Sequence, residues 1–108
     1  MMAFFDVSDM KSRKLAPGVE IKVVSGEKMM MVLFYIESGG VIPEHAHPHE
    51  QMGTVLEGEV ELFINGEKRI AREGDVYHIP SGFVHSGSVF SSAARVLDVF
   101  VPPREDYK

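Results

Sequence analysis

The sequence predicts one all-β domain, in which short strands form either a closed barrel or two packed sheets. Two observations favour this class: short apolar segments follow one another along the 108 residues, and turns that contain Gly or Pro separate them. A chain of this length is expected to form a single domain with a modest core. No internal repeat interrupts the series.

Each predicted strand is rich in Val, Ile, Phe or Met and is bounded by turn residues. The strongest turn is Asn65-Gly66, because these two residues tolerate the positive φ angles of a type I′ hairpin. The three methionines at 29–31 are interpreted as core residues, since Met adapts to irregular gaps. Residues 1–14 are compatible with a helix or with a strand exchanged between subunits, and both alternatives stay open. The predicted strands are Glu20–Val24, Met29–Ile36, Thr54–Leu56, Glu59–Ile64, Lys68–Ala71, Asp75–Ile79, His85–Phe90 and Ala94–Val101.

Composition and charge argue against several classes of partner. The net charge of −5 and the scattered Lys and Arg residues are unfavourable for binding phosphate backbones, so we expect no nucleic-acid partner. No apolar run approaches the length of a membrane span, and Asp6 interrupts the apolar start too early for a signal peptide. The absence of Cys suits a reducing compartment, and we therefore expect a cytoplasmic protein.

The segment HAHPHEQ, residues 45–51, concentrates possible metal ligands. His45 and His47 are two residues apart, so on an extended strand both imidazoles face the same side and can reach one ion. The proline that follows lacks an N–H group and bends the chain. After this bend, either Glu50 or Gln51 could return to the same point.

A further ligand must come from another part of the chain. His85 is favoured, because it begins a predicted strand directly after the turn at 80–82 and is therefore firmly held. His49 lies inside the bend and is interpreted as a loop or supporting residue. His78 lies in the middle of a predicted strand and is interpreted as a structural or surface residue.

Two spaced patterns contain these histidines. In the first, Gly39 is followed by five residues, then His-x-His, three residues, Gln51, six residues and a further Gly. In the second, Gly74 is followed by five residues, then Pro-x-Gly, two residues and His85. Together the patterns resemble the two motifs of the cupin superfamily, with two departures. Many cupins carry Glu in place of the Gln, and Val89 stands where the second motif ends in Asn.

The resemblance implies a conical jelly-roll β-barrel with a metal ion inside it. The implied ligands of this one divalent transition metal ion (Ni, Zn, Fe, Mn or Cu) are His45, His47, Gln51 and His85. Glu50 would be the fourth ligand if the loop were one residue shorter, but the motif spacing favours Gln51. Three imidazoles and a neutral amide leave the full charge on the ion, which favours Lewis-acid chemistry over redox chemistry.

The C-terminal segment contains a second group of candidate residues. In an extended strand Asp98 and Phe100 share one face, and a charged residue on such a face either has a partner or takes part in chemistry. Arg104 follows, and its planar guanidinium can bind a carboxylate through two hydrogen bonds. The structural alternatives for Asp98 are a residue that caps a loop and an ion pair with Arg95. The structural alternative for Arg104 is a surface residue paired with an acidic residue at 105 or 106.

A narrower resemblance covers nearly the whole chain from Gly18 onward. The segments HPHEQ, VLEGE, INGEK, GDVYHIP and DVFVPPRED resemble the small pectin-degradation cupins of the KdgF type. Members of that family open the ring of 4,5-unsaturated uronates produced by polysaccharide lyases, which yields a linear deoxy keto-uronate. The resemblance implies that Asp98 and Arg104 are catalytic and that Phe100 and Arg104 bind the uronate-type substrate.

Two rival functions stay open. One is another small-molecule metal cupin enzyme, such as a dioxygenase or an isomerase, and the other is a non-catalytic cupin that binds or senses a sugar. We expect a homodimer, because the apolar residues 1–5 would otherwise be exposed. The expected division is an N-terminal arm at 1–17, a barrel at 18–101 and a C-terminal tail at 102–108 that carries Arg104.

Overall fold

The structure, a computed structural model, describes residues 3–108. This part of the chain contains ten strands and two short 3₁₀ helices, Val7–Asp9 and Glu105–Tyr107. Met1 and Met2, which belong to the predicted apolar N-terminus, lie outside the described residues. The strands are β1 (Arg13–Ala16), β2 (Val19–Ser25), β3 (Met30–Ile36), β4 (Val41–His45), β5 (Glu50–Glu57), β6 (Glu59–Ile64), β7 (Glu67–Arg72), β8 (Val76–Ile79), β9 (His85–Ser88) and β10 (Ala94–Val101).

The strands pair in antiparallel fashion and form two sheets that pack face to face. The larger sheet has the order β1-β2-β3-β10-β5-β8, and the smaller sheet has the order β4-β9-β6-β7. Side chains that point between the sheets form the core, which includes Val32, Phe34, Val55, Val60 and Val96. The predicted all-β jelly-roll fold is therefore confirmed.

Strand β10 lies in the interior of the larger sheet, between β3 and β5. Its inward-facing residues include Asp98 and Phe100, which are only 4% and 1% exposed. Asp98 is paired with Gly53 of β5, and Phe100 is paired with Gln51. The register therefore brings the end of β10 and the start of β5 to the same region of the barrel interior.

Most of the predicted strands are present, and the bounds of two of them, Glu59–Ile64 and Ala94–Val101, agree with the structure. Asn65 and Gly66 have φ angles of 46° and 93°, which have the signs that the predicted type I′ turn requires. Strands β1 and β4 are absent from the prediction. Pro43 lies inside β4, where proline is tolerated because β4 is an edge strand of its sheet.

The methionines at 29–31 are only partly core residues. Met30 is fully buried, whereas Met29 and Met31 are 53% and 42% exposed. The prediction is wrong for Met31 because successive side chains of a strand point to opposite faces of the sheet, and it is wrong for Met29 because this residue precedes β3. Met31 instead belongs to the outer face of the larger sheet.

The middle of this outer face is apolar. Met31, Val99 and Met52 form one row across β3, β10 and β5, and Leu33 and Leu97 begin the next row. An antiparallel sheet that has one solvated face normally carries polar residues there. The apolar rows in the middle of the outer face depart from this pattern.

The N-terminal segment packs along the edge of the larger sheet. Lys22 Nζ donates a hydrogen bond to the Val7 carbonyl oxygen at 3.0 Å, and β1 pairs with β2 of the same chain. Of the alternatives for residues 1–14, the described residues therefore contain a 3₁₀ helix and the start of an intrachain strand. Within residues 3–108, no helix is long and apolar enough to cross a membrane.

Candidate functional site

Three histidines converge between the two sheets. His45 ends β4, His85 begins β9, and the two are paired in the strand register, with ring centroids 4.2 Å apart. His47 lies beyond the end of β4, so the expectation that it shares a strand with His45 is wrong. Its ring nevertheless reaches the same place, because the Gly82 N–H donates to the His47 carbonyl oxygen at 2.9 Å. One nitrogen from each of the three rings lies within 4.8 Å of the others.

The backbone sets the same tautomer in all three rings. Each Nδ1 atom lies against the carbonyl oxygen two residues away, at 2.8 Å for His45, 3.1 Å for His47 and 2.9 Å for His85. A carbonyl can only accept a hydrogen bond, so each Nδ1 carries the proton and donates it. Each Nε2 atom therefore presents a lone pair, as in histidines that bind metal ions.

Gln51 faces the imidazoles and adds its Oε1 lone pairs to those of the Nε2 atoms. Its Nε2 group donates to Oδ2 of Asp98, which directs Oε1 toward His47 Nε2 at a distance of 3.1 Å. Two lone pairs then face each other, because the Nε2 atom of His47 carries no proton in this tautomer. His85 Nε2 is buried and has no hydrogen-bond partner in the described structure. A cation among the Nε2 atoms of His45, His47 and His85 and the Oε1 atom of Gln51 would accept the lone pairs of all four atoms. The residues therefore fit a metal ion.

Burial keeps two of these imidazoles neutral near pH 7. Desolvation lowers the pKa of His85 to about 4. The pKa of His47 is also lowered, first by burial and second by the positive charge of Arg104. A neutral imidazole is the form that binds a metal ion, so the low pKa values favour coordination over protonation.

Asp98 is a buried carboxylate at the inner end of the site. Burial raises its pKa to about 7, although hydrogen bonds from Tyr77 and Gln51 oppose the rise. The Tyr77 hydroxyl donates to Asp98 Oδ1 at 2.5 Å. The alternative in which Asp98 pairs with Arg95 is wrong, because Arg95 points outward and lies 5.4 Å from the ring centre of Tyr35.

Arg104 belongs to the interior although it pairs with an acidic neighbour. It is 9% exposed, and its Nη2 and Nε atoms donate to the Asp106 carboxylate at 2.8 Å and 3.3 Å. Its Nη1 atom donates to the Tyr107 hydroxyl at 3.0 Å, and the guanidinium carbon lies 4.0 Å from the centre of that ring. The structural alternative for Arg104 is therefore right about an ion pair with residue 106 and wrong about a surface location.

Phe100 connects this group to the histidines. Its ring meets the His47 ring edge to face, with centroids 5.7 Å apart, and the Arg104 guanidinium carbon lies 5.3 Å from its centre. A single cavity between the sheets is lined by six of the predicted site residues: His45, Gln51, His85, Asp98, Phe100 and Arg104. The structure therefore brings the predicted ligands and the predicted catalytic residues into one place.

The remaining polar residues of the first motif lie away from the cavity. Glu50 points outward and accepts a hydrogen bond from His78 Nε2 at 2.8 Å on the surface of the larger sheet. This geometry supports Gln51 as the residue that faces the imidazoles, in preference to Glu50. His49 is half-buried and supplies the carbonyl oxygen that orients His47.

Three residues of the site are absent from the sequence-based prediction, and one of them is Tyr107, which contacts Arg104. Tyr77 reaches Asp98 from β8, and Gly53 lies between them on β5. A glycine inside a strand indicates that a second group approaches the backbone closely. Gly53 therefore indicates a close contact at this position of β5. The sequence gives no comparable indication for Tyr77, because the strand register that aligns it with Asp98 cannot be derived from one sequence.

Known proteins resemble this chain in both sequence and structure. Residues 32–100 match the Cupin_2 family, which is described as a cupin domain. The chain is 28% identical over 109 residues to the pectin degradation protein KdgF of Dickeya dadantii strain 3937, and the match covers 99% of each chain. It is 32% identical over 74 residues to quercetin 2,3-dioxygenase of Bacillus subtilis strain 168, which covers 68% of this chain and 22% of that enzyme.

A solved structure gives the same result. KdgF from Halomonas sp. matches with a TM-score of 0.93 at 28% identity, and the match covers 100% of both chains. The family match extends from β3 to β10 and includes the three histidines and the buried carboxylate. The chain therefore belongs to the cupin domain family.

Proposed function

We propose that this protein opens the ring of 4,5-unsaturated uronates, which lyases release from pectin- or alginate-type polysaccharides, and yields a linear deoxy keto-uronate. The observation that carries the proposal is the position of one buried carboxylate, Asp98, on the same cavity as two of the imidazoles and Arg104. The similarity to the pectin degradation protein KdgF, at 28% identity over the whole chain, supports the choice of substrate class.

The reaction is an isomerisation that needs proton transfer and charge stabilisation. The substrate is a cyclic hemiacetal whose ring oxygen is also an enol-ether oxygen. Loss of the hemiacetal O–H proton forms an aldehyde as the bond between C1 and the ring oxygen breaks, and the resulting enolate takes up a proton at C4. A divalent ion held by His45, His47, Gln51 and His85 would supply positive charge that stabilises the enolate oxygen.

We assign the proton transfer to Asp98. Its pKa of about 7 suits a group that accepts the hemiacetal proton and returns a proton at C4 near neutral pH. Each carboxylate oxygen accepts one hydrogen bond, from Tyr77 or from Gln51, and keeps further acceptor capacity for a substrate hydroxyl.

We assign binding of the substrate carboxylate to Arg104. Asp106 occupies the edge of the guanidinium that Nε and Nη2 form, and its side chain is 61% exposed. A substrate carboxylate therefore uses the remaining N–H groups or replaces Asp106 at this edge. Phe100 supplies an apolar surface beside the sugar ring.

The assay follows the ultraviolet absorbance of an unsaturated uronate with time. The purified protein is expected to accelerate the loss of absorbance, EDTA to remove the acceleration, and a divalent metal salt to restore it. Asp98→Asn is expected to remove turnover, whereas the outward-facing Glu50→Gln is expected to keep it. A metal-loaded protein that leaves the absorbance to decay at its spontaneous rate contradicts the proposal.

The rival functions have their own measurements. The similarity to quercetin 2,3-dioxygenase makes oxygen consumption with phenolic and uronate substrates the relevant test for oxygenase chemistry. A wild-type protein that binds the uronate in calorimetry without converting it would be a binding protein.

We also propose that the protein forms a homodimer through the outer face of the larger sheet. Met52 and Val76 are 50% and 68% exposed on this face, and Val99, the β10 neighbour of Met52, is apolar as well. A second copy would cover this apolar surface. We expect a light-scattering mass of twice 12.0 kDa, which Met52→Lys lowers to the monomer value. Ile70→Lys, on the smaller sheet, is the control, and a wild-type monomer would refute the dimer.

The domain division at residues 17 and 101 also stands as a proposal. Arg13 of β1 donates to the Tyr107 carbonyl oxygen at 3.0 Å, so the N-terminal arm contacts the tail that carries Arg104. This contact supports a functional unit in which the arm holds the tail against the barrel.

A further inference from the structure

Three residues lie in one row across the larger sheet. Asp98 of β10 pairs with Gly53 of β5, which in turn pairs with Tyr77 of β8. Paired residues of antiparallel strands point to the same face, so Asp98 and Tyr77 both project inward on either side of the glycine. In most sheets a side chain at the middle position would separate them.

Gly53 leaves the space in which these two side chains meet. A Cβ atom built on Gly53 would overlap Asp98 Oδ1 and would lie 2.5 Å from the Cζ and Oη atoms of Tyr77. No side chain other than hydrogen fits this position without displacing one of them. The glycine is therefore a condition for the contact between the hydroxyl and the carboxylate.

The contact restrains the orientation of the carboxylate. Tyr77 donates to Oδ1 at 2.5 Å, and Gln51 donates to Oδ2, so the two oxygens are held from opposite directions. With Tyr77 alone removed, the carboxylate would keep one donor and could rotate about its remaining hydrogen bond.

Tyr77 also separates Asp98 from a second opening in the barrel. Its side chain lines the cavity that contains Asp98 and also a groove of about 310 Å³ between β8 and the strands β6 and β7. This groove contains charged and apolar residues, among them Glu67, Arg69 and Leu62, and reaches solvent. The ring thus forms the wall between the carboxylate and water in the groove.

We propose that Tyr77 is a positioning residue for Asp98: across the gap left by Gly53, it fixes the orientation of the carboxylate and closes its cavity on the side of the groove. The kinetic consequence rests on the proposed function. The contact itself does not, so it can be tested without substrate.

The test compares Tyr77→Phe with the wild-type protein in two measurements. In uronate turnover, we expect the kcat of Tyr77→Phe to fall at least tenfold while KM changes less than twofold, because the hydroxyl orients a reacting group and does not contact the substrate. Bound metal, measured by elemental analysis, should be unchanged. In proton NMR after EDTA treatment, we expect a low-field hydroxyl resonance in the wild type that Tyr77→Phe lacks and that Asp98→Asn moves upfield, because a neutral amide oxygen is a weaker acceptor than a carboxylate.

Tyr35→Phe is the matched control, because it removes the same hydroxyl group from a tyrosine on the outer face of the larger sheet. It should keep the resonance and the kcat. A resonance that persists in Tyr77→Phe, or a kcat that this substitution leaves unchanged, overturns the inference. A wild-type protein without uronate turnover refutes the proposed function instead, and the NMR comparison then decides the inference alone.

Discussion

Replacement of Gly53 by alanine adds only one methyl group, but we expect it to lower the free energy of unfolding strongly. The new Cβ atom would overlap Asp98 Oδ1 and lie 2.5 Å from two atoms of Tyr77. Neither contact is with the flexible end of a surface side chain, because both residues are held between the sheets. The carboxylate and the phenol must therefore move apart, or the strand must shift.

The magnitude follows from three contributions to the free energy of unfolding. Forcing an extra carbon into a packed interior costs about 1–3 kcal/mol. Loss of the hydrogen bond between Tyr77 and the buried carboxylate costs about 1.5–3 kcal/mol more. Alanine restricts the unfolded chain, which offsets about 0.4–1 kcal/mol. We therefore expect a net loss of about 2–5 kcal/mol, or roughly 10–25 °C in Tm for a domain of this size.

Urea denaturation and thermal unfolding measure this loss, and Gly87→Ala is the control. Gly87 also lies in a strand interior, but a Cβ atom there would meet Leu62 and Val60 at 3.6 Å, an ordinary contact distance. We expect Gly87→Ala to change the stability by less than about 1 kcal/mol. The reasoning is wrong if Gly53→Ala loses less than about 1 kcal/mol, or if both variants lose the same amount.

Three further predictions concern the metal ions, the guanidinium and the core. In scanning fluorimetry, addition of a divalent ion at about 100 times its Kd should stabilise EDTA-treated protein by about 2.7 kcal/mol, or roughly 10 °C in Tm. The variant His85→Ala should show a much smaller shift in Tm in the same experiment. Arg104→Lys, which keeps the charge but loses the planar fork, should raise KM for the uronate at least tenfold, and an unchanged KM in steady-state assays would exclude Arg104 from carboxylate binding. Phe100→Ala should lose about 3–5 kcal/mol in urea denaturation, because the side chain is 1% exposed, and a loss below about 1 kcal/mol would contradict its core role.

Motif spacing predicts residues well where local geometry alone decides their position. His85 begins its strand as expected, because the turn before it is defined by Pro80 and Gly82. The count between Gly39 and the following Gly selects Gln51, and Glu50 indeed points outward. These positions depend on short stretches of chain, which one sequence describes.

Contacts between distant strands could not be predicted in the same way. The Tyr77 hydroxyl meets Asp98 only because β8 and β10 both pair with β5 in a particular register. Strand β4 cannot be predicted in this way, because a strand that contains proline is usual only at a sheet edge and the sheet order that makes β4 an edge strand is a property of the whole fold. The pattern also does not separate the exposed Met31 from the buried Met30, because both faces of β3 are apolar at this point.

The order of the larger sheet has a consequence for the way this chain folds. Strand β10 is the last strand along the chain but pairs with β3 and β5, so that Phe100 lies between Met30 and Gln51. A growing chain can align His45 with His85 through β4 and β9 before β10 exists. At that stage the edges of β3 and β5 that β10 later covers are unpaired. Unpaired strand edges are prone to association with other chains. Pairing of β10 covers these edges and brings Asp98 and Phe100 into the sheet, so we expect a chain truncated before β10 to lack the residues proposed to act on substrate.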